Sequence, residues 1–474
     1  MIQTRNRYFM QRATIVYLLS LVCCCVLYFS SIMTWYWILI GIIEVSAFYY
    51  FSSRWEVSWR RIPIKDFEKR IFWTSVLIRL GWTLVYYIFT MNVWHTPWEQ
   101  PIGTTMDSPG YFSEAMWVYE MIRARDLSPY FSYVIIGGHL DDIGYPFFLA
   151  LSRFIFNDSI FLTRIPNAFF DSWTVVLTYR IAKRNFGEEV GRLSSFFVIL
   201  LPMMIFFSGV TMKETLMLML GTWAVERGDY IIQEKQYRFG TLGAFLVLTL
   251  SLVLFRMAYA WVVMLAFICA LVLSSERISS KSKRWTILVV ILFAGAALFG
   301  GRLVEQSQDL IEQAESTGAN LDFRAKRKGG NALVANLNKA VFVPLLATIP
   351  FPTMVTIEGQ NIQQLQNGGY FIKNILSFFV VFALLLLLPK WRWRNHVLII
   401  AFTLGYIAAL GLSSFAQSGR FHHPLLPMEM ILGAYGINLI KNARQAKWFD
   451  YFLVAEFFII IFWNWFKLRG RGMV

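Results

Sequence analysis

Apolar runs long enough to cross a bilayer recur along this whole sequence, and no other feature narrows the fold as far. They lie near residues 13–31, 34–52, 71–94, 159–180, 190–208, 215–225, 239–255, 258–275, 286–301, 371–389, 396–415, 425–440 and 448–466. A spanning helix needs about 20 predominantly apolar residues, and most of these runs approach that length. The reading is an all-α polytopic membrane protein with about 12–13 transmembrane helices. Charge supports it: only 15% of the 474 residues are charged, against about 25% in a soluble domain. Aromatics, at 17%, supply interfacial Trp and Tyr anchors.

The net charge of +15 does not indicate nucleic acid. Most of it flanks apolar runs, where Lys and Arg fix orientation; a remainder is available to an anionic lipid substrate. Cys23, Cys24, Cys25 and Cys269 all lie inside apolar runs, so neither a disulfide framework nor a zinc site is expected. The first run continues into the second without a convincing cleavage site, which predicts a retained span.

Positive-inside logic places Arg5, Arg7 and Arg12, and the block Arg54, Arg60, Arg61, Lys65, Lys69 and Arg70, in the cytoplasm. The run 71–94 then delivers residues 95–158 to the far side, where acids offset few bases. Arg180, Lys183 and Arg184, the Arg277–Arg284 group, Lys390 to Arg394, and Lys441 to Lys447 mark later returns. Two features break the trend. Arg324, Lys326, Arg327 and Lys328 fall in an outer loop, and the last run leaves Lys467, Arg469 and Arg471 outside. Residues 341–353, with Pro344, Pro350 and Pro352, read as re-entrant. Three regions follow: a two-span extension with a basic linker (1–70), a core with outer loop 95–158 (71–230), and a C-terminal bundle with outer loop 302–370 (231–474). No internal repeat is visible.

The most polar stretch begins at Thr104-Thr105-Met106-Asp107-Ser108-Pro109-Gly110-Tyr111. Ser108 suits an N-cap and Pro109 a first helical position. Asp107 is thus expected at a helix mouth, favoured by the dipole, where phosphate-bearing ligands also bind. Residues 109–124 form an amphipathic helix, with Phe112, Ala115, Met116, Val118, Tyr119 and Ile122 on one face. Residues 145–156 are too short to span and read as interfacial or re-entrant.

The topology brings Asp107, Asp141, Asp142 and Glu214 to one outer level with Lys213, Arg256 and Arg420. Carboxylates beside fixed cations suit a reaction with a phosphate leaving group: one accepts the proton of the attacking group, and the cations steady the departing charge. Each of these groups also has a plainer explanation. Lys213-Glu214 serves as a helix-end pair, Arg256 as a snorkelling residue, and Asp141-Asp142 as a turn.

On these residues the chain resembles the GT-C superfamily of integral-membrane glycosyltransferases, of the protein O-mannosyltransferase and lipid A aminoarabinose transferase type. Asp107 and Tyr111 match that family's first-loop Asp and the Tyr four residues on. Asp142, before Gly144-Tyr145-Pro146, matches its later loop acid, with Asp141 an alternative. Phe156 through Arg164 and Pro166 to Gly187, Gly209 to Glu214, and Gly419-Arg420-Phe421-His422-His423-Pro424 follow in the family's order. The resemblance covers about residues 70–225 and 417–435. Two spans precede the family's usual first one, and Asp107-Ser108 stands where Asp-Glu is common.

The resemblance implies a glycosyltransferase in the plasma (inner) membrane, working at its extracytoplasmic face with a polyprenyl-phosphate-linked sugar donor and a glycan, lipid or protein acceptor. It implies Asp107 as general base, with Asp142 and Glu214 as further catalytic-site carboxylates that position acceptor or donor or share a metal. Tyr111, Asp141, Lys213, Arg256, Arg420 and His422 become substrate-binding residues. The resemblance implies no particular cofactor; a divalent metal (Mg or Mn) on Asp107 and Asp142 is compatible with it. His422 and His423 point apart on a helix and chelate poorly together, so an interfacial role is expected. Two rivals remain. A polysaccharide polymerase or ligase would depend on late-loop arginines and survive loss of Asp107. A transporter or flippase would use midplane charges, for which Glu44 and Arg79 are the hints.

Overall fold

The computed structural model describes residues 2–95, 107–136, 143–234, 238–274, 285, 289, 349–357, 361–387, 389–412, 418–440, 442–471 and 473. These residues are helical almost throughout, without a sheet. The run 286–301 lies almost wholly outside them, and the basic loop 302–340, Asp141 and Asp142 do so entirely.

The first three helices are α1 (Ile2–Leu27), α2 (Trp35–Ser58) and α3 (Ile64–Phe89). Three shorter ones follow: α4 (Ser108–Ala124), α5 (Ser128–Ile136) and α6 (Gly144–Ile155). Next come α7 (Ile165–Phe186), α8 (Glu188–Leu200), α9 (Pro202–Ser208) and α10 (Glu214–Gln233). The hairpin α11 (Phe239–Val253) and α12 (Met257–Leu273) turns at Leu254 to Arg256. The C-terminal part holds α13 (Asn361–Leu365), α14 (Asn367–Leu387), α15 (Val397–Leu412), α16 (Gly419–His422), α17 (Leu426–Leu439) and α18 (Ala443–Arg469).

The chain is an all-α polytopic membrane protein. Among the described residues five helices are long and apolar enough to span, or six if the bent α8–α9 pair is one span. Helices α11, α12 and α15 are apolar but shorter. Helix α7 has 22 residues but carries Asp171, Arg180, Lys183 and Arg184. Helix α10 carries Glu226 and Asp229, both almost fully buried. Interior helices can carry such groups because neighbours, rather than lipid, surround them. Helix α8 is buried on nearly every side, as befits a central helix. It packs on α7, α2 and α17, while α7 also packs on α3 and α10.

Helices α14 and α17 cross closely at Gly436. A Cβ there would lie 2.1 Å from the Phe379 carbonyl oxygen. Small residues at such crossings let backbones approach in lipid. Gly436→Ala is expected to cost about 1–3 kcal/mol of stability through forced separation. Gly433→Ala, whose nearest neighbour lies at 3.6 Å, is the matched control and should be close to neutral. Thermal unfolding in detergent that ranked the two variants equally would refute this account of the crossing.

Polar clusters collect at the two ends of the bundle. At one end Arg180 pairs with Glu68 at 2.6 Å, and Arg184 with Asp229 at 2.6 Å and Glu226 at 2.7 Å. These residues close α7 and α10 and open α3, where the sequence placed its basic blocks. At the opposite end α4, α10 and α12 all begin. Residues 349–357 run extended there: Met33 N–H donates to Met354 O at 3.0 Å, and Thr356 N–H to Ser31 O at 2.7 Å. Asn464 of α18 holds the same segment through the Met354 amide at 2.8 Å.

Candidate active site

The site is assembled where several helix N-termini meet. Helix α4 starts at Ser108, α10 at Glu214 and α12 at Met257, so each directs its positive dipole end to one region. The turn 209–213 between α9 and α10 is held from below. Arg164 donates to Gly209 O at 3.4 Å and Asn167 to Val210 O at 3.0 Å. Gly144, at the start of α6, donates its amide to Leu254 O at 2.8 Å. A Cβ at Gly144 would meet the Phe255 ring at 2.9 Å, so the interfacial helix docks on the α11–α12 turn only with glycine there.

Arg420 links two of the expected carboxylates. Its Nη1 lies 2.7 Å from Asp107 Oδ2, and its Nε pairs with Glu214. Glu214 is fully buried, Arg420 partly exposed, and Asp107 53% exposed. Exposure separates their capacities: Asp107 can reach a substrate, whereas Glu214 acts on Arg420. Lys213 is buried and donates to Phe255 O at 2.9 Å. Its Nζ stands 5.8 Å from the Tyr111 ring, which packs edge-on against Tyr145 at 5.3 Å. Arg256 lies over the Phe421 ring at 4.5 Å and hydrogen-bonds Tyr406, whose hydroxyl donates to Phe421 O at 2.9 Å.

Arg256 Nη1 and Glu214 Oε2 are among the buried polar atoms here that lack a hydrogen-bond partner among the described residues. The described groups thus comprise three cations, Lys213, Arg256 and Arg420, against two carboxylates, with three helix N-termini added. That balance favours an anionic guest. Burial, and then the neighbouring Arg256, pull the Lys213 ammonium down to about 8.

Several expectations need correction. Ser108 is the first helical residue rather than the cap; Asp107 holds the cap position without a side-chain capping bond, because its carboxylate is drawn to Arg420. His422 and His423 are fully buried rather than interfacial. His423 packs on the Phe207 ring at 4.6 Å, and neither of its ring nitrogens finds a partner among the described residues. Glu44 and Arg79 have local partners: Glu44 accepts from Gly369 N–H at 3.2 Å, and Arg79 pairs with Asp171.

Asp141 and Asp142 lie outside the described residues, as does the Arg324–Lys328 cluster. Asp107 is committed to Arg420, and no group of three His, Cys, Asp or Glu fit to hold a metal occurs among the described residues. The described residues therefore do not fit a metal, and no step below runs through one. The sequence reading missed Tyr406, Tyr145 and the Phe255 carbonyl. A tyrosine inside an apolar run and a backbone oxygen carry no sequence signal.

Comparison with known proteins bears on part of the chain. Residues 118–300 match the Alg9-like mannosyltransferase family. This is a GT-C fold glycosyltransferase family. The match takes in α5 to α12, including Lys213, Glu214 and Arg256. It supports an enzyme that transfers sugar within a multi-pass membrane protein. No curated protein and no solved structure matched the chain.

Proposed function

We propose that the protein transfers a sugar from a polyprenyl-phosphate donor to an acceptor hydroxyl or amine at the extracytoplasmic face of the plasma membrane. The observation that carries this reading is the Asp107–Arg420–Glu214 ion-pair chain, set beside Lys213 and Arg256 at one end of the bundle. Asp107 takes the acceptor proton as the acceptor atom bonds the anomeric carbon. The bond from that carbon to the phosphate oxygen breaks, and its electron pair leaves with the polyprenyl phosphate. Lys213 and Arg256 hold the phosphate; Arg256 Nη1 supplies a donor that has no partner among the described residues. Glu214 fixes Arg420, and Arg420 fixes one carboxylate oxygen of Asp107. In this proposal Asp141, Asp142 and Tyr111 position the substrate, while fully buried Glu214 acts only through Arg420.

The matched family's name makes mannose the first sugar to test. Purified protein in liposomes is given polyprenyl-phosphate mannose or a nucleotide-linked mannose, and mannosylated products are followed by mass spectrometry. Transfer from the lipid-linked donor alone is expected. Transfer from the nucleotide sugar alone would overturn the donor assignment.

Lys213 adds a pH signature. Its ammonium is charged below its lowered value of about 8 and neutral above it. Affinity for a phosphate donor is therefore full at neutral pH and falls as pH rises through about 8. Lys213→Arg, charged throughout, should remove that limb from the kcat/KM profile. A flat wild-type profile, or a limb that persists in Lys213→Arg, would refute the phosphate role.

A further inference from the structure

Helices α2 and α3 run antiparallel, and a cleft of about 610 Å³ lies between them. Ile40, Ile43, Ala47 and Trp55 of α2 line one wall, and Thr74, Leu77, Ile78 and Trp82 of α3 the other. The α8–α9 bend supplies the floor through Leu200, Pro202, Ile205 and Phe206. The lining is apolar except for Glu44 and Thr74. From Ile40 to Trp55 it follows α2 for about 22 Å, most of a hydrocarbon core about 30 Å thick. Ile43 and Leu77, on opposite walls, are 56% and 69% exposed, so the cleft opens sideways.

Its upper end leads to the site. The Trp82 indole donates to Phe206 O at 3.4 Å, Thr83 donates to Ser208 O at 3.4 Å, and a Cβ on Gly209 would touch Trp82 at 3.0 Å. Gly209 opens the turn that ends in Lys213. A long apolar slot, open to lipid, thus runs up to the foot of the turn that ends in Lys213. The lining has no cation of its own, so a phosphate on a guest chain is drawn to the end beside the Gly209–Lys213 turn.

We propose that the α2–α3 cleft holds the polyprenyl chain of the donor, lying along the membrane normal with its phosphate at Lys213 and Arg256. The inference rests on the donor reading above, and it assigns a role to α2, which lies outside matched residues 118–300. A chain that enters from lipid gains close packing rather than hydrophobic transfer. The cleft therefore selects chain length and shape rather than greasiness.

The test uses the full chain in detergent micelles. Undecaprenyl phosphate, geranyl phosphate and phosphatidylglycerol are the probes, and retention is read by native mass spectrometry. Ala47→Trp fills the slot. It should weaken undecaprenyl phosphate on the order of tenfold while leaving geranyl phosphate, too short to reach down the cleft, unchanged. Thr74→Phe fills it from the other wall and is read the same way if Ala47→Trp fails to fold. An equal effect on both prenyl phosphates, or none, overturns the assignment. So does wild-type protein that exchanges undecaprenyl phosphate for phosphatidylglycerol without preference. Arg256→Gln should weaken both prenyl phosphates. If it weakens neither while Ala47→Trp still discriminates, the phosphate reading fails and the cleft assignment stands.

Discussion

Asp107→Asn is expected to lower sugar transfer by about 10²–10⁴-fold, the usual contribution of a positioned general base, with expression and membrane insertion unchanged. Asparagine keeps the shape and still accepts from Arg420, so the helix mouth at Ser108 should survive. It cannot take a proton. Arg420 retains its pair with fully buried Glu214, so no buried charge is stranded, and the half-exposed position makes the change cheap in stability. Donor binding should also persist, because the phosphate contacts belong to Lys213 and Arg256. The measurement is single-turnover transfer from polyprenyl-phosphate mannose, with donor retention measured in parallel. Turnover near wild type would remove Asp107 as the base and favour the polymerase or ligase reading.

Depth in the membrane was legible in the sequence, and lateral neighbourhood was not. Apolar run boundaries fix where a residue lies along the bundle axis. That is why Asp107, Lys213, Glu214, Arg256 and Arg420 could be set at one level, and the structure does bring Asp107 and Glu214 onto Arg420. Amphipathic spacing likewise marked α4, and length marked α6 as too short to cross. Which helix faces which is decided by packing, which periodicity does not encode. Asp171 drew no notice, yet it is the partner of Arg79. His422 and His423 follow a polar turn, yet the next helix carries them into the core. Glu44, a midplane charge of the kind a transporter would use, instead receives the Gly369 amide in α14 and faces the cleft. Ser108 satisfied every composition rule for a cap, but an arginine more than three hundred residues away decided where the chain turns.

Arg79→Met should produce the largest loss of stability, about 3–5 kcal/mol, as expected when one partner of a buried ion pair is removed. The arginine has two tasks. It neutralises Asp171, with both side chains fully buried. It also serves the broken helix: Pro202 has no N–H to give the Val198 carbonyl, and α9 departs from α8 at 54°. Arg79 Nη2 donates to Val198 O at 3.1 Å and Nη1 to Ile199 O at 3.4 Å. A charge inside a span is thus explained by the bend it repairs, without a transport path. The two tasks separate in a double variant. Arg79→Met with Asp171→Leu removes the stranded charge and should recover much of the loss. It should still fall short of wild type, because a carbonyl left unsatisfied in the interior costs about 1–3 kcal/mol. Full recovery in thermal unfolding would mean the carbonyls find other donors. No recovery would mean the bend, rather than the ion pair, accounts for the whole effect. Because the same bend forms the floor of the α2–α3 cleft and leads into the Gly209–Lys213 turn, loss of Arg79 should also weaken retention of a long-chain prenyl phosphate at temperatures where the protein remains folded.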